Sequence, residues 1–149
     1  MKNYSIAIAT FYPGNIINKC LASLPNNKEI LIIDNGDDKK LRDNLSKINN
    51  KNIQYHNIGD VGISKSLNYA ISKSSNNYVF ITQPDVIISS QSIDNLIEAS
   101  EKYDKIGIAS PLIFDDENYS KFDHYDLKIS KSGKVLNNKK KTSLKKPEG

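Results

Sequence analysis

Ile30-Leu31-Ile32-Ile33-Asp34-Asn35-Gly36 and, further along, Tyr78-Val79-Phe80-Ile81-Thr82-Gln83-Pro84-Asp85-Val86 decide the reading of this chain. Each is a short apolar run of the kind that forms a buried strand, and each brings a carboxylate to its C-terminal end. In an open α/β sheet, ligands bind just outside the carboxyl ends of the strands. Two acids delivered there by different strands suit a ligand with a polar head and a metal-bound anionic part. A nucleoside diphosphate combines the two.

Working outward, Ser5–Thr10 (S-I-A-I-A-T) reads as a first strand. Phe11-Tyr12-Pro13-Gly14 is a turn into an amphipathic helix near Asn15–Leu24, which Pro25-Asn26-Asn27 stops. Glu29–Ile33 is the second strand, Asp34–Asp38 a loop, and 39–48 a helix with Leu41, Leu45 and Ile48 on one face. Ile53–Asn57 is a third strand. Gly59-Asp60-Val61-Gly62 turns the chain into a helix over Ile63–Lys73, with Ile63, Leu67, Ala70 and Ile71 inward. Tyr78–Ile81 is the fourth strand, Ser89-Ser90-Gln91 caps a helix over Ser92–Tyr103, and Ile106–Ala109 is a fifth strand. Strands alternating with helices at this spacing predict parallel pairing through right-handed crossovers. The expectation is an α/β, Rossmann-like domain over residues 1–114, a mostly parallel central sheet flanked by helices. Residues 115–136 extend it partially, with some strand character over 122–129, and 137–149 form a Lys-rich flexible tail with little to bury.

At 149 residues the chain holds one respectable core. Its net charge of +4 comes from the tail: residues 130–149 hold seven Lys and one Glu, leaving 14 basic and 16 acidic groups in residues 1–129. The globular part therefore shows no footprint for nucleic acid. Cys20 is the single cysteine, which excludes intrachain disulfides and cysteine-based zinc sites, and it reads as a small buried hydrophobe. No apolar run approaches the roughly 20 residues that span a bilayer, and no signal-peptide pattern opens the chain. A cytoplasmic location is expected. The tail reads first as a solubilising end, and alternatively as a weak contact with an anionic inner-membrane surface.

Asp34 stands where dinucleotide-binding folds place a ribose-binding acid, but Thr10-Phe11-Tyr12-Pro13-Gly14-Asn15 lacks G-x-G-x-x-G, so NAD is disfavoured. No P-loop is present. Asp34 alone could equally be a loop cap beside Asn35-Gly36. Pro84 ends the fourth strand and pushes Asp85 out at the sheet edge, where a carboxylate can hold Mg²⁺ or Mn²⁺ with diphosphate oxygens and waters. An ordinary surface aspartate is the competing account.

In order and with matching spacing, S-I-A-I-A-T-F-Y (5–12), E-I-L-I-I-D-N-G-D-D (29–38), G-D-V-G-I-S-K-S-L-N-Y-A-I (59–71), Y-V-F-I-T-Q-P-D-V (78–86) and I-G-I-A-S-P-L-I (106–113) resemble the nucleotide-binding half of family 2 glycosyltransferases. This is the GT-A fold, and the rhamnosyltransferase-like group within it is the nearest in pattern. The resemblance implies that Thr10, Phe11 and Tyr12 hold base and ribose and that Asp34 meets a pyrimidine N3–H. It further implies that Asp60 and Gly62 approach the donor and that Asp85 binds a divalent metal (Mn or Mg). The implied partners are a UDP- or dTDP-linked sugar and a glycan or lipid-linked acceptor, in surface polysaccharide or glycan synthesis.

The pattern departs from the family in three ways. Gln83 stands where many members have an acid or asparagine, and Leu67 where many have arginine, leaving Lys65 as the nearby cation. The downstream half that builds the acceptor site and supplies the catalytic base is not evident. The acids and bases Asp115, Asp116, Glu117, Asp123, His124 and Asp126 fall in no recognisable motif, and the catalytic residue is unknown. His56 reads as a strand residue. Two other functions fit the same residues: a non-catalytic nucleotide-sugar-binding module, and a sugar-nucleotide nucleotidyltransferase, which would normally carry a richer glycine and arginine signature after its first strand.

Overall fold

A computed structural model of the chain describes residues 2–49, 51–102 and 106–111, with strand backbone at 127–129 and 135–137. The chain divides into two compact units, Met1–Ala109 and Ser110–Gly149.

The first unit runs β1 (Ser5–Thr10), α1 (Ile17–Ser23), β2 (Glu29–Asp34), α2 (Lys39–Leu45), β3 (Asn52–Asn57), α3 (Ile63–Lys73), β4 (Val79–Thr82) and α4 (Ser90–Glu101). The four strands form one sheet in the order β3-β2-β1-β4, every pair parallel. This is the parallel α/β architecture that the alternation predicts, and it agrees with the GT-A fold that the resemblance implies. β1 and β2 carry the apolar runs because both are flanked on each side by a strand and covered on each face by helices. All six positions of each are buried. The edge strands β3 and β4 are only partly buried, and their sequences are correspondingly more polar or shorter.

Alternation along the strands sorts the core into two layers. On one face Ile6, Ile8, Ile30 and Ile32 pack with Ile17, Cys20 and Leu21 of α1, Leu41 and Leu45 of α2, and Ile93 and Ile97 of α4. On the other, Ala7, Leu31 and Ile33 meet Ala70 of α3. Alanine at position 7 lets α3 lie close to the sheet. Each fully buried aliphatic side chain contributes on the order of 1.5–3 kcal/mol.

The helix ends show where local chemistry acts. α2 is capped by Asp38, whose carboxylate accepts from Leu41 N at 3.0 Å. Ser89 occupies the N-cap of α4 as expected but makes no side-chain capping bond. Ile106–Ala109, expected as a strand, joins no ladder, and Ile108 is 92% exposed. An apolar run becomes a strand only where a neighbouring edge takes up its backbone groups, and sequence pattern alone does not supply that edge.

In the second unit β5 (Leu127–Ile129) pairs antiparallel with β6 (Val135–Asn137). The acids and bases between Asp115 and Asp126, and the tail beyond Asn137, lie outside the described residues.

Candidate functional site

The strand order places the site. The chain steps from β1 to β2 to β3 in one direction and then returns to the far side of β1 for β4. The loop after β1 leads into α1 and the loop after β4 toward α4, both on the same face of the sheet, and the carboxyl edge between the two exits is the crevice where such a sheet takes its ligand. β4 also stops early: Thr82 is level with Ile8, two positions before β1 ends at Thr10. The crevice is flanked by Phe11 and Tyr12 on one side and by Gln83 and Asp85 on the other.

Phe11 and Tyr12 are 61% and 60% exposed and meet edge to face with ring centroids 5.0 Å apart. Two large apolar rings left in water at a strand end form a platform that a flat ligand can cover. Tyr12 has φ 46°, a left-handed conformation uncommon for a residue with a side chain, and its ring lies over Gly36. A Cβ at Gly36 would come within 2.8 Å of that ring, so glycine is needed there for close approach. The β1 and β2 exits are thus packed on each other.

Thr10 is buried (3% exposed) and its carbonyl accepts from Asn35 N at 2.9 Å and Asn35 Nδ2 at 3.2 Å. Its hydroxyl oxygen has no hydrogen-bond partner among the described residues. Asn35 Oδ1 in turn accepts from Ser66 Oγ at 2.8 Å, tying both loops to the first turns of α3. Asn35 and Ser66 were not singled out in the sequence. Asn35 read only as half of a turn, and nothing at position 66 distinguishes a loop-holding serine from a solvated one.

Asp34 differs from its expected role. The residue is wholly buried, with Oδ1 accepting from Gly36 N (2.8 Å) and Oδ2 from Asp38 N (2.7 Å) and Tyr55 Oη (2.6 Å). An ionised carboxylate offers about four acceptor positions. Those donors and the Asn57 side chain occupy them, leaving none for a nucleobase N–H. Burial works against the charge, yet the bonds from Tyr55, Gly36, Asp38 and Asn57 outweigh it and hold the carboxyl below its ordinary range. Burial and the same carboxylate push the Tyr55 phenol up to about 12. Asp34 builds the loop rather than facing the crevice. Tyr55 is the partner that sequence reading missed. On β3 it shares a face with Ile53, and nothing at position 55 in the sequence sets it apart from a residue that only packs on the core.

The remaining expected residues lie on the surface around this rim. Asp60 is exposed in the turn before α3, and Gly62 is the N-cap of α3 with φ 80°, a conformation that favours glycine. Lys65 is exposed on the first turn of α3. Asp85 is exposed in the loop after β4. His56 is half-buried on β3 with its ring edge-on to Tyr69, as a strand residue would be. The structure joins Thr10, Tyr12 and Asp34 through Asn35 and Gly36, while Asp60, Lys65 and Asp85 remain separate side chains on the rim.

A divalent ion finds no protein-only cage here. Among the described residues, no three His, Cys, Asp or Glu side chains converge on one point. Mg²⁺ is usually held by one or two carboxylates, with waters and substrate phosphates completing an octahedron. Asp85, exposed beside the crevice, fits an ion of that kind only when a diphosphate supplies further oxygens.

The opposite edge of the sheet carries a depression lined by Lys2, Asn3, Ser75–Tyr78 and Glu101. It lies at the amino ends of the strands, and its charged groups, Lys2 and Glu101, pair with each other.

Residues 5–147 match the model of the family described as Glycosyl transferase family 2. The chain belongs to glycosyl transferase family 2. Among solved structures, residues 1–349 of TarS from S. aureus superpose with a TM-score of 0.57 at 15% identity, over 77% of this chain and 40% of that one. A longer TarS structure from S. aureus gives the same TM-score and identity over 77% of this chain and 24% of its own. At that identity the likeness speaks for the fold. The family 2 chain described here spans less than half the length of either structure. Curated proteins gave no significant match.

Proposed function

We propose that this family 2 domain binds the nucleoside-diphosphate half of a sugar donor in the crevice between the β1 and β4 exits. It acts as the donor-binding half of a glycosyltransferase, of the rhamnosyltransferase-like kind that its sequence pattern resembles. The observation that carries the reading is the pairing of an exposed aromatic platform, Phe11 and Tyr12, with an exposed carboxylate, Asp85, on opposite sides of the topological switch point. The platform covers the base and ribose of UDP or dTDP, and the buried Thr10 hydroxyl at the end of β1 offers a further hydrogen-bonding group beside it. Asp60 and Lys65 line the side from which the sugar enters. Asp34 acts at one remove by fixing the loop on which Tyr12 rests.

A divalent ion held by Asp85 would stabilise charge on the leaving diphosphate. The chain's own task is to bind and orient the donor so that an acceptor hydroxyl, on a glycan or a lipid-linked glycan, reaches the anomeric carbon from the opposite face. A second form of the same reading is a nucleotide-sugar-binding module. In it this chain retains donor affinity, and transfer depends on an acceptor half elsewhere.

Calorimetry with UDP and dTDP, in Mn²⁺ and in chelator, tests the proposal. Asp85→Asn is expected to abolish the metal-dependent part of the affinity and leave the metal-free remainder nearly intact. Wild-type metal dependence in that variant would make Asp85 a surface residue and remove the chemical centre of the reading.

A further inference from the structure

The Asp85 loop is not held by its own residues alone. α1 grips it at both ends. At the near end, the Gln83 carbonyl accepts from Val86 N at 3.3 Å, closing a turn, and from the Cys20 thiol at 3.5 Å. At the far end, Ile88 N donates to Ser23 Oγ at 3.1 Å, and Ser23 Oγ donates onward to the Cys20 carbonyl at 2.7 Å. Ile88 is buried and Val86 packs on the same core cluster, while Ile87 between them and Asp85 before them stay exposed. The result is a short arch, pinned at residues 83 and 88 to one turn of helix, with the carboxylate at its outer side.

We propose that Ser23 is a positioning residue for Asp85, with Cys20 as its counterpart at the other foot of the arch. This rests on the reading of Asp85 as the metal-binding carboxylate. A single carboxylate that must share an ion with a mobile diphosphate gains most from being held still, because each degree of freedom it keeps is lost on binding. Ser23 is suited to the task because its hydroxyl both donates and accepts. Alanine there would strand the Ile88 N–H, whereas threonine would keep the bond. The thiol at position 20 is also kept as a donor.

The test is UDP calorimetry on the full chain with Mn²⁺ and with chelator, for wild type, Ser23→Ala, Ser23→Thr and Asp85→Asn. Ser23→Ala is expected to reduce the Mn²⁺-dependent gain in affinity by about three- to tenfold, the worth of one hydrogen bond, while metal-free affinity stays at wild type. Ser23→Thr is expected to restore the gain. Should Ser23→Ala not fold, Cys20→Ala probes the other foot with the same expected pattern. A full metal-dependent gain in the alanine variant overturns the inference, as does an equal loss with and without metal, which would mark a merely structural role. If Asp85→Asn loses the gain while Ser23→Ala keeps it, only this inference fails. If the wild type shows no gain at all, the reading of Asp85 fails with it.

Discussion

The two strand-then-acid junctions look alike in sequence and do opposite things in the fold. Asp34 leaves the second strand into a loop where every neighbour donates to it, and it is wholly buried. Asp85 leaves the fourth strand into an arch that turns Val86 and Ile88 inward and leaves the carboxylate, like Ile87, exposed. The difference follows from sheet position. β2 is flanked by β1 and β3, so its exit is surrounded and Tyr55 of β3 can reach across. β4 is an edge strand with β1 on one side. One carboxylate is therefore filled by the fold itself, and the other remains exposed.

Four experiments would break or sharpen that contrast. Asp34→Ala has the largest expected effect. It strands two backbone amides and the Tyr55 hydroxyl in a buried loop, a loss of about 3–5 kcal/mol by urea unfolding. A loss under about 1 kcal/mol would mean that the loop is not held as described.

Tyr55→Phe removes one of those donors and should cost about 1–2 kcal/mol near neutral pH. Its pH dependence is the sharper readout. The Tyr55 phenol is raised in the folded protein, so its contribution is complete below the unfolded value of about 10 and fades as pH rises toward about 12. Wild type should therefore lose stability over that range, and Tyr55→Phe should lose less of it. Asp34 has the opposite sign. Its folded pKa is depressed, so its contribution is present above the unfolded value of about 3.9 and is lost as pH falls below it. Unfolding curves from pH 2 to 12 would show both limbs, and an unchanged alkaline limb in Tyr55→Phe would break the assignment.

Gly36→Ala should displace the Tyr12 ring while costing under about 1 kcal/mol, because the ring is exposed and can swing away. UDP affinity should fall with and without Mn²⁺ alike. Undiminished affinity would remove Tyr12 from the platform. The smallest effect belongs to Asp85→Asn, whose stability should stay within about 0.5 kcal/mol of wild type. A larger loss would show that Asp85, like Asp34, is a structural carboxylate, and the contrast between the two junctions would vanish.

The alternation of apolar runs with amphipathic helices was enough to place every element of the first unit within a few residues, α3 at Ile63–Lys73 without displacement. Asp85 as an exposed acid after a proline-terminated strand was legible for the same local reason, since Pro84 cannot extend the ladder. Ile106–Ala109 was misread because its apolar pattern says nothing about whether an edge is available to pair with it. The base-facing role expected of Asp34 went astray on a related point. Its donors lie two, four, twenty-one and twenty-three positions away, and the last two, Tyr55 and Asn57, are brought to it only by the pairing of β2 with β3.

Sequence by itself determined that this is a parallel α/β domain with acids at two strand ends, because periodicity and turn chemistry are properties of neighbours along the chain. Tertiary structure decided which acid is free. Whether a carboxylate is saturated or exposed depends on which strands flank it and which donors they carry, and those residues become neighbours only when the sheet order β3-β2-β1-β4 is assembled.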